Sequence, residues 1–246
     1  MRYTLKAIHD SLPPEKRKSD GTMTRFLYRP LAIPASWLFL RLGMTPNAVT
    51  AVSGALCALA LCLTFFPSVI CHRVAIGLYL AFAVLDCADG NMARTIGKKT
   101  TYGGWVDAAG GYLAYATVLL SMGLSCLYRA SDSFALPAIG FSLSPLPLHE
   151  ATWLLIAALA ANANTLMRLF HQSFKNASLA AGIESKQGGE KRFSEEIGVT
   201  GYLPLLYLAG YETGYLPIVL IGYAAVYLGG FLVYTLKQAI KVSKSA

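Results

Sequence analysis

The stretch DCADGNMARTIGKKTTYGGWVDAAGG, residues 86–111, decides how this chain is read. It bridges two apolar runs, over residues 72–89 and 104–127, and places Asp86, Asp89 and Asp107 inside or at the ends of them. Carboxylates at membrane depth are costly unless they are paired or bind a cation. Clustered carboxylates suit a hard divalent ion, and Mg²⁺ also takes substrate phosphates as ligands. The stretch therefore points to metal-assisted chemistry on a phosphate at a membrane boundary.

The rest of the chain agrees with a membrane setting. Of 246 residues, 55% are hydrophobic and only 14% charged. That balance excludes an ordinary soluble domain. Six apolar windows approach the length of a bilayer crossing: 46–66, 72–89, 104–127, 150–170, 196–211 and 214–236. The fifth is the weakest, being short and carrying Gly201 and Pro204. The sequence thus predicts an all-α polytopic bundle of six transmembrane helices.

The formal net charge is +8, and it is sorted by loop. If the six windows cross in alternation, nineteen Lys and Arg residues fall on one side and two, Arg73 and Arg129, on the other. Such sorting is topogenic, so no nucleic-acid partner is implied. The positive-inside rule puts both termini in the cytoplasm, which an even number of spans also requires. The first thirty residues are polar and charged, unlike a cleavable leader. The five cysteines show no metal spacing and read as small buried residues.

Residues 1–44 read as a cytoplasmic tail followed by an interfacial amphipathic segment, and 45–246 as the membrane domain. Residues 1–21, with Lys16-Arg17-Lys18, read as solvated or as drawn to anionic headgroups. Over 22–44, arginines alternate with Phe26, Leu27, Leu31 and Trp37, and Pro30 and Pro34 are expected to break any long helix. Thr45-Pro46-Asn47, followed by Thr50, opens the first span as a cap and a first-turn proline.

Within the quoted stretch, Asp86 and Asp89 are three apart and share a helix face. Gly90 removes a side chain where backbone and ligand meet closely, and Arg94, read as following in the loop, has the fork that grips a diphosphate. The spacing resembles the signature of the CDP-alcohol phosphotransferase family, D-x2-D-G-x2-A-R-x8-G-x3-D-x3-D. Seven of its eight fixed positions are filled, by Asp86, Asp89, Gly90, Ala93, Arg94, Gly103 and Asp107. The eighth is Gly111 instead of aspartate.

The resemblance implies metal-dependent transfer of a substituted phosphate from a CDP-linked donor to an acceptor alcohol, with release of CMP. The donor it favours is CDP-diacylglycerol, in phospholipid synthesis at the cytoplasmic (inner) membrane. A soluble CDP-polyol donor, or a catalytically inactive nucleotide-binding protein, are the alternatives. It implies Mg²⁺ or Mn²⁺ on Asp86, Asp89 and Asp107, and a nucleotide site of Asn47, Thr50, Gly90, Ala93, Arg94 and Gly103. It also implies membrane lipids as partners and pairing as a homodimer. The family's last aspartate is a metal ligand and the proposed base, and Gly111 can be neither. Another base, an acceptor that needs the room, loss of transfer, or an engineered change at this position would each explain the glycine. Gly110-Gly111 reads as room kept for the acceptor. On the fourth span, Asn164, Arg168 and, further on, Lys175 read either as interhelical hydrogen bonding and snorkelling or as an acceptor-binding pocket.

Overall fold

In the computed structural model, the described residues are 3–97, 100–130, 151–180 and 196–243. Their regular structure is all helical, with no strand among them. In chain order the elements are α1 (Leu5–Asp10), α2 (Pro14–Ser19), a π-helical turn (Thr24–Tyr28), α3 (Arg29–Arg41), α4 (Pro46–Thr64), α5 (Val69–Thr95), α6 (Thr101–Ala130), α7 (Ala151–Ala180), α8 (Leu203–Thr213) and α9 (Leu216–Ser243). Five of these, α4, α5, α6, α7 and α9, are long and apolar enough to cross a membrane. The chain is therefore read as an integral membrane protein of helices.

The fifth expected window differs. Within 196–211, the described residues form turns and then the eleven-residue α8. At 1.5 Å per residue that helix is about 16 Å long, against about 30 Å of hydrocarbon. Gly198 and Gly201 hold the approach as turns, with Leu203 N–H donating to Gly198 O. Five crossings are supported where six were expected.

The chain divides into two compact units. The first comprises 1–114 and 187–206, the second 115–186 and 207–246. In the first, α4 and α5 pair along their length, and α3 packs on α5. The α3–α5 contact is built from small side chains around Tyr28: Ala32, Ala83, Cys87 and Ala88. Ser36 Oγ lies 2.6 Å from Ala32 O and 3.1 Å from Ala88 O, so its hydroxyl ties the two helices together. Buried Tyr28, its phenol pushed up to about 12 by burial, stays protonated and donates to Gly201 O at 3.1 Å.

Two expectations for the amino-terminal part are corrected. Residues 5–19 are two short helices that bury Ile8 and Leu12, not a solvated tail. Pro30 and Pro34 do not break the following helix. Pro30 follows directly on a π-helical turn, and the helix runs through it with one ladder bond missing. The π turn before it, with Arg29 N–H donating to Thr24 O, sets that register. Pro34 lies inside α3, at the cost of one ladder bond. Gly43, at φ 73, ends α3, and Met44 N–H donates back to Phe39 O at 3.0 Å.

In the second unit, α7 packs on α9, with Phe170 stacked on Phe231 at 6.0 Å. Gly123 lets α6 approach α7 closely: a Cβ there would lie 2.5 Å from Ala157 Cβ and 3.1 Å from Trp153 O. Small residues at such crossings are the usual means of helix contact in lipid. Gly77, by contrast, faces open space. Thermal unfolding in detergent should therefore separate the two positions. Gly123→Leu is expected to cost about 1–3 kcal/mol through overpacking. Gly77→Ala should be neutral or stabilising by up to about 1 kcal/mol.

Candidate active site

Helix α5 does not stop at residue 89 but runs on to Thr95, where Gly97 at φ 69 closes it. Nothing between Gly90 and Thr95 opposes a helix, so Arg94, expected in a loop, sits in the last turn. Positions 86, 89, 90, 93 and 94 then follow the i, i+3, i+4, i+7, i+8 rule of a single helix face. The fixed spacing of the aspartates, glycine, alanine and arginine is a helical stripe.

Helix α6 supplies the facing residues. Its start is capped by Thr100, whose Oγ1 accepts from Gly103 N–H at 3.0 Å. A Cβ on Gly103 would stand 3.1 Å from that hydroxyl and 3.2 Å from Asn47 Oδ1, so glycine lets α6 approach the start of α4. Asp107 follows one turn later. Thr45 caps α4 as expected, accepting from Ala48 N–H at 3.2 Å.

These elements enclose a cavity of about 450 Å³. Asn47, Thr50, Asp86, Asp89, Gly90, Ala93, Arg94, Gly103 and Asp107 all line it. The nine positions singled out for metal and nucleotide are thus brought together. Buried Asp89 accepts from Thr50 Oγ1 at 2.5 Å. The Thr50 hydroxyl also reaches Pro46 O at 3.1 Å, so here it acts on the carboxylate and the helix start. Among the described residues, no hydrogen bond or ion pair reaches the carboxylates of Asp86 and Asp107.

The donors suit a hard cation, being carboxylate oxygens only. No three His, Cys, Asp or Glu side chains among the described residues converge closely enough to hold an ion by themselves. A Mg²⁺ site of one or two carboxylates completed by phosphate and water has that character. The residues fit such an ion provided a substrate supplies the remaining oxygens.

Further charged residues on the cavity wall were not anticipated. Lys16, Asp20, Thr24, Arg29, Thr100 and Thr200 also line it. Arg29 grips Asp20 by two bonds, Nε to Oδ2 at 2.6 Å and Nη2 to Oδ1 at 3.0 Å. Lys16 Nζ lies 3.0 Å from the same Oδ1. Thr24 Oγ1 donates to Thr200 O at 2.6 Å, and Glu196 accepts from both Thr22 N–H and its hydroxyl at 2.8 Å. The one available signal was a lone arginine in the apolar stretch 26–40.

Asn164 and Arg168 belong to the second unit. Arg168 Nε donates to fully buried Asn164 Oδ1 at 2.8 Å, and the guanidinium lies 3.8 Å from the Tyr115 ring centre. Asn164 Nδ2 is buried without a partner. The Lys175 side chain lies outside the described residues.

Asp89→Ala should remove metal-dependent binding of CDP while leaving the bundle folded. Closely spaced carboxylates repel one another when no cation is present. Thermal stability in metal-free buffer should fall by less than the roughly 1.5–3 kcal/mol of a hydrogen bond to a charged group, because relieved repulsion offsets the lost Thr50 bond. A large loss there would make Asp89 a structural residue.

Comparison with known proteins follows the same residues. The family profile for CDP-alcohol phosphatidyltransferase matches residues 43–188, more than half of the chain. An archaetidylinositol phosphate synthase of Pyrococcus horikoshii is 34% identical over 94 residues, 38% of this chain and 48% of that protein. A phosphatidylinositol phosphate synthase of Mycobacteroides abscessus is 33% identical over 89 residues, 36% of this chain and 40% of that protein. The chain thus spans less than half the length of either relative. With the profile match and the aspartate stripe in one cavity, the chain belongs to the CDP-alcohol phosphatidyltransferase family, a family of transferases.

Proposed function

We propose that the protein transfers a substituted phosphate from CDP-diacylglycerol to an acceptor alcohol and releases CMP. The observation that carries this is the one cavity onto which Asp86, Asp89, Asp107 and Arg94 all open. Two of those carboxylates accept no hydrogen bond from the described residues, which suits them to a cation. Asp86, Asp89 and Asp107 would hold Mg²⁺ or Mn²⁺, which when bound neutralises the diphosphate and improves CMP as a leaving group.

The chain's own groups bind and orient. Arg94 is assigned to the diphosphate, and the Asn47 amide, which lines the same cavity, to the cytidine. Gly90, Ala93 and Gly103 keep the walls close, and Thr50 holds Asp89. The acceptor oxygen attacks the phosphorus next to the transferred alcohol, the P–O bond to CMP breaks with its electron pair going to CMP, and the acceptor proton passes to water or to a substrate phosphate. Positioning and electrostatics supply most of the rate in such transfers.

For the acceptor we take an inositol phosphate, because both relatives are named as synthases of inositol phosphate lipids. Arg168, oriented by Asn164 and Tyr115, is the group we assign to its phosphate, and Lys175 is assigned with it from the sequence. We take α8 with the turns before it as a sixth, irregular crossing, with which nineteen of the Lys and Arg residues fall on one side. Both termini then lie on the cytoplasmic face of the inner membrane. A homodimer is the expected assembly.

Gly111 favours a second reading, a protein that binds the nucleotide without transferring it. A Cβ at Gly111 would meet nothing within 4 Å, so space remains where the family has its last carboxylate. Release of CMP separates the two. With labelled CDP-diacylglycerol and inositol phosphate, the full chain should release CMP with Mg²⁺ or Mn²⁺ and none with EDTA. CDP binding without CMP release, over a panel including CDP-glycerol and other acceptors, would favour the second reading. Equal nucleotide binding with and without EDTA would remove the metal site.

Gly111→Asp tests the meaning of the gap. If the acceptor uses this room, the new carboxylate should lower CMP release. A rise of about tenfold, or about 1.4 kcal/mol of barrier, would mean that the glycine is simply a lost base.

A further inference from the structure

Arg94 reaches the cavity from the last turn of α5, and a guanidinium on a long side chain has many rotamers. Two features restrict it. Gly90 carries no side chain where a Cβ would stand 3.3 Å from Arg94 Nη1. Arg94 Nη2 donates to Asn91 Oδ1 at 2.8 Å. Asn91 is only 1% exposed, and the same oxygen accepts from Arg29 Nη1 at 3.0 Å. Two guanidinium groups meeting one amide fix its orientation, because the NH₂ end would present donors to donors.

Arg29 is itself buried, at 8% exposure. A buried guanidinium is tolerated when its donors are bound and its charge is paired. Asp20 supplies that by the two-bond contact, and the remaining Nη1 points to Asn91. The chain of contacts therefore runs from Asp20 through Arg29 and Asn91 to Arg94. Its first two members precede the residues that match the family profile.

The bridge is neutral. An aspartate at 91 would accept the same two bonds and would also cancel charge on Arg94. An asparagine orients the guanidinium and leaves its positive charge for the cavity.

We propose that Arg29, acting through Asn91, is a positioning residue that fixes the Arg94 guanidinium for an anionic diphosphate. The segment before the family domain is then a working part of the site. This rests on the reading of Arg94 as the group that holds the diphosphate.

The test is CDP affinity of the full chain in detergent with Mg²⁺, by calorimetry. Arg94→Ala should weaken CDP by about tenfold or more, the worth of a charge-assisted hydrogen bond. Asn91→Leu and Arg29→Lys should each weaken it several-fold. Lysine keeps the charge and a contact to Asp20 but cannot span Asp20 and Asn91 together. In the Arg94→Ala background, Asn91→Leu should change nothing further. Asn91→Asp should also weaken CDP, although it preserves both hydrogen bonds; a purely structural bridge would leave it like the wild type.

Wild-type affinity in both Asn91→Leu and Arg29→Lys, with Arg94→Ala impaired, would overturn the inference. So would losses that add fully in the double variant, or a wild-type Asn91→Asp. Should Asn91→Leu fail to fold, Arg29→Lys and Asn91→Asp decide. Unchanged affinity in Arg94→Ala overturns the reading of Arg94 itself, and this inference with it.

Discussion

Holding carboxylates at the end of an apolar helix is the constraint on which the rest of this structure depends. Asp86 and Asp89 lie on α5, whose length and composition suit a membrane crossing. Isolated charges there are unfavourable, so their surroundings must supply compensation. Thr50 gives one hydrogen bond, to Asp89. Lys16, Arg29 and Arg94 bring positive charge to the same cavity. The carboxylates of Asp86 and Asp107 receive no hydrogen bond from the described residues, and a cation with a diphosphate is the natural complement to them.

Close backbone approach serves the same end. Gly103 brings α6 to the start of α4, and Gly90 makes space for the Arg94 guanidinium. Ala32, Ala83 and Ala88 let α3 lie against α5, which carries Arg29 to Asn91. Small residues at these contacts are what allow polar groups on four separate elements to meet over one cavity.

The family stripe was legible because its spacing is helical. Residues three and four apart share a face whatever the tertiary context, so Asp86, Asp89, Gly90, Ala93 and Arg94 could be grouped before the fold was known. The nine expected site positions line one cavity. Contacts distant in sequence and without a period were not legible. Arg29 meets Asn91 across 62 positions, and Glu196 meets Thr22 across 174. The amino-terminal helices were hidden for another reason: Ile8 and Leu12 are isolated apolar residues in a polar stretch, too few for periodicity to reveal. Hydropathy found the five long spans but could not show that the fifth window is broken. Its apolar composition concealed the turns before α8.

Whether the carboxylate cavity holds the metal and the nucleotide together is best decided by soaking Mn²⁺ and CDP into the protein and locating the metal by its anomalous scattering. The arrangement described above requires a Mn²⁺ peak between the carboxylates of Asp86, Asp89 or Asp107 and the CDP diphosphate, with Arg94 on the diphosphate. CDP bound in the cavity with no metal at these aspartates, or a metal and nucleotide bound elsewhere, would contradict it.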